Sequence, residues 1–204
     1  MINIAINGVG RIGKLILKLL ITNNLNLKYV NELNGDIHSL LHSLEFDSIH
    51  GKWVADFEAK DNDLFINGKK IKTSFHNNIE TLILKDIDIL IDCTGVNKSS
   101  KVLEKYFHAG VKKVIVSAPI DETNIANIVY GVNQFAYDPS KHRIITAASC
   151  TTNCIAPIIK VLHENIGIKH GSISTIHNLT NSQTLVDIPH VNLRRGRSAI
   201  NNLI

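Results

Sequence analysis

The chain has 204 residues, 44% of them hydrophobic, enough for one large domain or one domain plus part of another. Its 22 basic and 18 acidic residues leave a formal net charge of +4 with both signs interspersed; outside the short "LRRGR" cluster at 193–197 this excludes a basic nucleic-acid face and leaves small anions as ligands. No signal peptide or membrane-length apolar run is present, and the three cysteines are odd in number, so the expectation is a cytoplasmic protein with reduced thiols.

In chain order, "INIAIN" (2–7) reads as a buried strand, "RIGKLILKLLI" (11–21) carries apolar residues at helical spacing, and "KYVNEL" (28–33) reads as the next strand. Strand, glycine turn, helix and strand make a βαβ unit with a parallel sheet. "DLFINGKKIKT" (63–73) sets an Asn-Gly turn between alternating runs and predicts an antiparallel excursion. "DIDILIDCTG" (86–95) is an apolar run ending in a polar-glycine turn, "SSKVLEKYFHAG" (99–110) a helix closed by Gly110, and "KKVIVSAP" (112–119) another strand. "RIITAAS" (143–149) then leads into the helix-like "TTNCIAPIIKVLHENIG". Strands alternating with helices predict an α/β domain over roughly the first 150 residues. After Gly167 the pattern changes. "GSISTIH" alternates as a strand, and the Asn- and Ser-containing remainder reads as a long loop of the kind that is usually functional or disordered.

Gly8-Val9-Gly10-Arg11-Ile12-Gly13 is a G-x-G-x-x-G run between the first strand and the first helix. Gly8 permits the tight turn, Gly10 lets a pyrophosphate approach the backbone, and Gly13 lets helix and strand pack closely; the free N–H groups at the helix start attract the anion. Glu32, about twenty residues on, is placed to accept bonds from the adenosine ribose hydroxyls and to repel a 2′-phosphate, which favours NAD over NADP. The plain alternative is a tight turn with no ligand.

"AASCTTNCIAP" (147–157) raises a second question, because Cys150 and Cys154 lie four positions apart. A metal clip lacks a second ligand pair, and no metal site is expected. A disulfide within a helical turn is no better supported. Buried thiols suit Cys154 and also Cys93, whereas Cys150, at a helix start among the hydroxyls of Ser149, Thr151 and Thr152, reads as a nucleophile. Of the ten histidines, His177 is the candidate base, since it ends the predicted strand where the chain enters the polar loop.

"INGVGRIG", "FDSIHGKW", "CTG", "VIVSAP", "VYGVN", "ASCTTNCIAP" and "TIHNLTNSQTLVD" together resemble the glyceraldehyde-3-phosphate dehydrogenase family, in order and over essentially the whole chain. The resemblance implies a Rossmann-type NAD-binding domain (1–149) followed by the start of an α+β catalytic domain (150–204). It implies Cys150 as nucleophile and His177 as base in the NAD-dependent oxidation of a phosphorylated aldehyde to an acyl phosphate through a thioester. By positional match, Arg11 and Ile12 supply amides to the dinucleotide, and Glu32, Thr94 and Ser117 line its groove with Asn181 near the nicotinamide. Ser149 and Thr151 would bind the attacking anion and Thr180 the substrate phosphate, with Arg197 adding charge from the S-shaped loop.

Glu32 stands where the family usually has Asp, and "TSFHNN" (73–78) lacks the arginine many members place near the adenine. Members also run on for well over a hundred residues past "SAINNLI", which makes a non-catalytic dinucleotide-binding or interaction module the alternative reading and puts the family's homotetramer in question. "NELNGD", "LEFDSIHGKW" and "LTNSQTLVDIPH" are more similar to the arsenate-resistance-associated members, in which arsenate replaces phosphate at the thioester step.

Overall fold

The first apolar run forms β1 (Asn3–Asn7), which in this computed structural model, describing residues 1–202, is the central strand of a nine-stranded sheet. Helix α1 (Arg11–Thr22) buries Gly13, Leu17, Leu20 and Ile21, spaced to share one face. Strand β2 (Asn26–Asn31) then returns parallel to β1. Helix α2 (Ile37–Glu45) starts at a reciprocal cap: Ser39 N donates to Asp36 Oδ1 at 2.8 Å and Asp36 N donates to Ser39 Oγ at 2.7 Å. A two-stranded ribbon of β3 (Phe46–Asp47) and β4 (Gly51–Lys52) follows.

The antiparallel excursion is β5 (Phe57–Lys60), β6 (Asp63–Ile66) and β7 (Lys69–Ser74), with β7 joining β2 in parallel. Its predicted turn has Asn67 at φ 50° and Gly68 at φ 75°, both left-handed, which matches the twist of the flanking strands. A Cβ on Gly68 meets nothing within 4 Å, so Gly68→Ala isolates backbone strain. It is expected to cost about 1 kcal/mol, read as a lowered urea midpoint at unchanged slope.

The chain then crosses back to β8 (Ile89–Asp92), α3 (Ser100–His108), β9 (Lys113–Val116), β10 (Ala126–Asn127), β11 (Ile144–Thr146) and α4 (Cys150–Asn165). The sheet order is β10-β11-β9-β8-β1-β2-β7-β6-β5, so the winding direction reverses at β1. Alternate residues of β1 serve opposite faces. Ile4 and Ile6 pack with Leu17, Leu20, Leu40 and Trp53 under α1 and α2, while Ala5 packs with Leu90, Leu103 and Tyr106 under α3. No helix among the described residues is long and apolar enough to cross a membrane.

The chain divides into two compact units, Met1–Asn165 and Ile166–Ile204. The described part of the second unit contains no helix or strand, and its loops are held by backbone bonds such as Ile188 N to Gly196 O (2.9 Å) and Ala199 N to Thr184 O (2.8 Å). The strand predicted for "GSISTIH" is therefore not formed, and those residues are exposed throughout. Alternation tells a segment which side chains share a face, but a strand also needs a neighbour for its N–H and C=O groups, and none of the described residues supplies one.

Candidate functional site

At a reversal of strand order the loops leaving the carboxyl ends of adjacent strands diverge and open a crevice. Here the loops after β1 and β8 flank it, tied at their roots by Cys93 N to Asn7 O (2.7 Å), while Gly8 N to Asn31 O (2.8 Å) ties the first of them to the end of β2. Gly8 has φ 89°, and a Cβ on it would sit 2.8 Å from the Cys93 and Thr94 backbone. A Cβ on Gly13 would lie 1.9 Å from the Gly8 carbonyl oxygen. Only glycine fits either place. Around Gly10, by contrast, there is nothing within 4 Å, so the backbone is open to a close-approaching ligand. Gly10 is also the N-cap of α1 without a side-chain capping bond, and the first turn holds no acidic residue. The start of α1 therefore offers backbone N–H groups with no capping side chain in front of them, an arrangement that suits a diphosphate.

Glu32, one residue past β2, grips this loop from the side. Its Oε2 accepts from Val9 N at 2.6 Å and its Oε1 from Asn34 N at 3.0 Å. Near the start of α1, Asp47 pairs with Lys14 and, at 3.7 Å, with Arg11, and accepts amide bonds from Ile49 and His50 at 2.8 Å each. The Lys14 bond first, then those amides, hold its carboxyl well below the usual carboxylate range.

Sequence reading missed the layer beneath the crevice. Asp92 is buried and accepts from Thr94 N (2.9 Å), Thr94 Oγ1 (2.7 Å), Asn97 Nδ2 (2.7 Å) and Tyr106 OH (2.7 Å). Asn7 Nδ2 donates to the same phenol oxygen at 2.6 Å, and Asn31 Nδ2 donates to Asn7 Oδ1 at 2.8 Å. Asn31 Oδ1 in turn accepts from Ser74 Oγ (2.7 Å) and His76 N (2.9 Å). Burial, then the Asp92 charge, push the Tyr106 phenol above its ordinary range. The available signal was a polar residue closing three apolar runs: Asn7, Asn31 and Asp92 each end a strand.

Thr94 and Ser117 sit at this layer. Thr94 is tied to Asp92, and Ser117 donates its amide to Asp92 O at 2.9 Å while its side chain bonds Cys93. Burial pushes the Cys93 thiol from 9.0 up to about 12, against a smaller lowering by Ser117. At neutral pH its thiolate fraction is then roughly a thousandfold below that of an ordinary cysteine. Iodoacetamide is expected to leave Cys93 unlabelled in the folded protein at pH 8 and to reach it only as the pH nears 12, checked by peptide mass mapping.

At the other locus β11 ends at Thr146, and a turn through Ala147, Ala148 and Ser149 leads into α4. Ala148 is buried at φ 56°, a left-handed conformation that costs an L-residue about 1 kcal/mol or more and is held by Ala148 N to Thr146 Oγ1 at 3.2 Å. Asn153 Nδ2 ties the same turn by donating to Ala147 O (2.6 Å) and Ser149 O (2.9 Å). Ser149 Oγ accepts from Thr152 N at 3.0 Å, which makes Ser149 the helix cap and Cys150 the first residue of α4. Cys150 is exposed there, in the position where a helix dipole favours a thiolate, and Thr151 follows it, half-buried.

Cys154 is exposed too, against the expectation of a packed thiol, and α4 buries no residue. Apolar residues at helical spacing read as a core face, yet Ile158, Val161 and Leu162 of that face are open here, because periodicity specifies a face without supplying its partner.

The remaining predicted residues lie in the second unit. His177 Nδ1 donates to Asn178 O at 2.6 Å; a carbonyl only accepts, so in the neutral ring Nε2 is the basic nitrogen. Thr180 closes a small turn: its carbonyl oxygen accepts from Gln183 N at 2.9 Å, its amide donates to Gln183 Oε1 at 2.8 Å, and its hydroxyl lies 2.9 Å from Ser182 Oγ. Asn181 is exposed beside it, and Arg197 pairs with Asp187 at 3.3 Å.

Residues 2–100 match the family model described as glyceraldehyde 3-phosphate dehydrogenase, NAD binding domain, and residues 149–204 match its C-terminal domain. The chain belongs to the glyceraldehyde-3-phosphate dehydrogenase family. It is 44% identical to glyceraldehyde-3-phosphate dehydrogenase 3 of Nostoc sp., 42% to the enzyme of Geobacillus stearothermophilus and 41% to that of Thermotoga maritima. Each alignment covers 100% of this chain and 61%, 61% and 62% of the relative, so the chain spans about three-fifths of the length of these relatives. NAD is the cofactor of this dehydrogenase-family domain. The open Gly10 backbone, the uncapped start of α1 and the carboxylate of Glu32 fit that group.

Proposed function

We propose that this protein takes part in the NAD-dependent oxidation of glyceraldehyde 3-phosphate to an acyl phosphate, or with arsenate to an acyl arsenate, through a thioester on Cys150. The observation that carries the proposal is Cys150 exposed at the first position of α4, behind the strained Ala148 turn and the Ser149 cap. The Cys150 sulfur adds to the aldehyde carbon, forming a C–S bond and leaving a hydroxyl on that carbon. NAD, held at the glycine loop by the Arg11 and Ile12 amides, would supply the acceptor for the hydride that this carbon loses. His177 takes the hydroxyl proton on Nε2, consistent with the Nδ1 bond to Asn178 O, and the carbon becomes a thioester carbonyl. An oxyanion oxygen attacks that carbonyl, the C–S bond breaks, and Cys150 leaves as thiolate. In this reading Ser149 and Thr151 hold the attacking oxyanion and Thr180 the substrate phosphate, while Arg197 adds charge from its loop and Asn181 lies near the nicotinamide side. Glu32, Thr94 and Ser117 line the rest of the dinucleotide groove.

The test is an NADH-formation assay on the purified chain with glyceraldehyde 3-phosphate, NAD and either phosphate or arsenate. Turnover with an oxyanion supports the proposal, and turnover with arsenate in clear preference to phosphate supports the arsenate-linked role. A second reading, a dinucleotide-binding or interaction module, is favoured by one observation: the described residues after Asn165 form no sheet or helix. NAD binding without turnover under either oxyanion would select it.

A further inference from the structure

The buried carboxylate of Asp92 is not part of any role assigned above, and it is an expensive group to place in a sheet. It is 1% exposed and, among the described residues, has no cation as a partner, being met instead by donors that come from separate segments. Thr94 N and Thr94 Oγ1 satisfy Oδ1; Asn97 Nδ2 and Tyr106 OH satisfy Oδ2. A buried charge held only by neutral donors is stable when every lone pair is used, and losing the charge leaves those donors facing one another.

The donors are not scattered. Thr94 and Asn97 belong to the loop that leaves β8 along one wall of the crevice, and its outer residues Gly95 and Val96 are exposed. Tyr106 comes from α3 on the opposite side of the sheet, and its phenol oxygen passes the connection to Asn7, the residue immediately before the glycine loop. Asn31, the last residue of β2 and neighbour of Glu32, bonds Asn7. One carboxylate therefore sets the loop after β8 directly and the roots of the loops after β1 and β2 through Tyr106 and Asn7.

We propose that Asp92 is a positioning residue for the dinucleotide, holding the 93–97 wall of the crevice in its binding geometry; this rests on the reading of the crevice as the NAD site. Asp92→Asn keeps the shape and one acceptor but presents an NH2 group to Tyr106 OH and Asn97 Nδ2. The wall then loses its inward anchor, and the bound state must pay the ordering cost that the unaltered chain meets in advance.

The experiment measures NAD affinity by calorimetry and residue-level amide exchange for the unaltered chain, Asp92→Asn and Asn97→Ala. The second variant removes a single donor from the half-buried loop and leaves the buried carboxylate in place. The expected result is a dissociation constant raised about tenfold or more in Asp92→Asn and several-fold in Asn97→Ala. Faster exchange should be confined to the Thr94 amide and its loop, with β1 and β8 still protected, which a merely structural role would not produce. NAD affinity within about twofold of the unaltered chain in both variants overturns the proposal. So does loss of protection across β1 and β8 in Asn97→Ala. No NAD binding by the unaltered chain would instead overturn the reading of the crevice, and this proposal with it.

Discussion

Gly13→Ala is expected to destabilise the protein by about 3 kcal/mol or more, near the upper end of single-residue effects. In a helix interior alanine is normally the better residue by about 1 kcal/mol, so the predicted sign is opposite to helix propensity. Packing decides it. The new Cβ would stand 1.9 Å from the Gly8 carbonyl oxygen and 3.3 Å from the Cys93 Cβ, and the first of these is backbone that cannot rotate away. Relief requires α1 to lift from β1, which opens the core around Leu17 and Leu20. Gly10→Ala is the matched control. Its Cβ meets nothing, so its stability cost should stay within about 1 kcal/mol, the scale of an altered N-cap, while NAD affinity should fall about tenfold or more because the methyl occupies the approach to the backbone. Thermal melts with and without NAD separate the two. Equal effects of both substitutions on stability would show that the loop is held by something other than the Gly8–Gly13 contact.

Cys150→Ser is expected to abolish oxyanion-dependent NADH formation, on the order of a thousandfold or more, with an unchanged melting temperature. A hydroxyl at the start of α4 is too weak an acid to be ionised by a helix dipole, so the attacking group is lost while the Ser149 cap that defines the turn is kept. Cys154→Ser should leave the rate within about twofold, since that thiol lies one turn further along an exposed helix and has no place in the thioester steps. Rapid NADH formation by Cys150→Ser would sink the covalent route; equal loss in both variants would point to α4 as a whole rather than to one sulfur.

These expectations draw on different layers of information. The glycine loop, the first βαβ unit, the Asn67-Gly68 turn and the helix starting at Cys150 were legible because each depends on a few neighbouring residues. Glycine spacing, hydrophobic period and left-handed turn residues act within one or two turns of chain. "GSISTIH" failed for the complementary reason: its alternation is local, but pairing is not. Cys154 failed likewise, because an apolar helical face says nothing about what covers it.

The contacts of Glu32 and Asp92 show the same division around the crevice. An acidic residue after β2 was readable, but that its Oε2 lies 2.6 Å from Val9 N follows only from bringing residues 23 positions apart together. Asp92 gave no motif. Its partners Thr94 and Asn97 are near in sequence, whereas Tyr106 is 14 positions away, and Tyr106 in turn reaches Asn7 across 99 positions. By itself the sequence determined the family, the α/β class, the position of the dinucleotide loop and the cysteine at a helix start, all of which are encoded in local spacing and residue chemistry. Only the tertiary structure decided which buried polar groups join the loops of the crevice, because a hydrogen bond between distant residues exists only after the sheet has set their strand ends side by side.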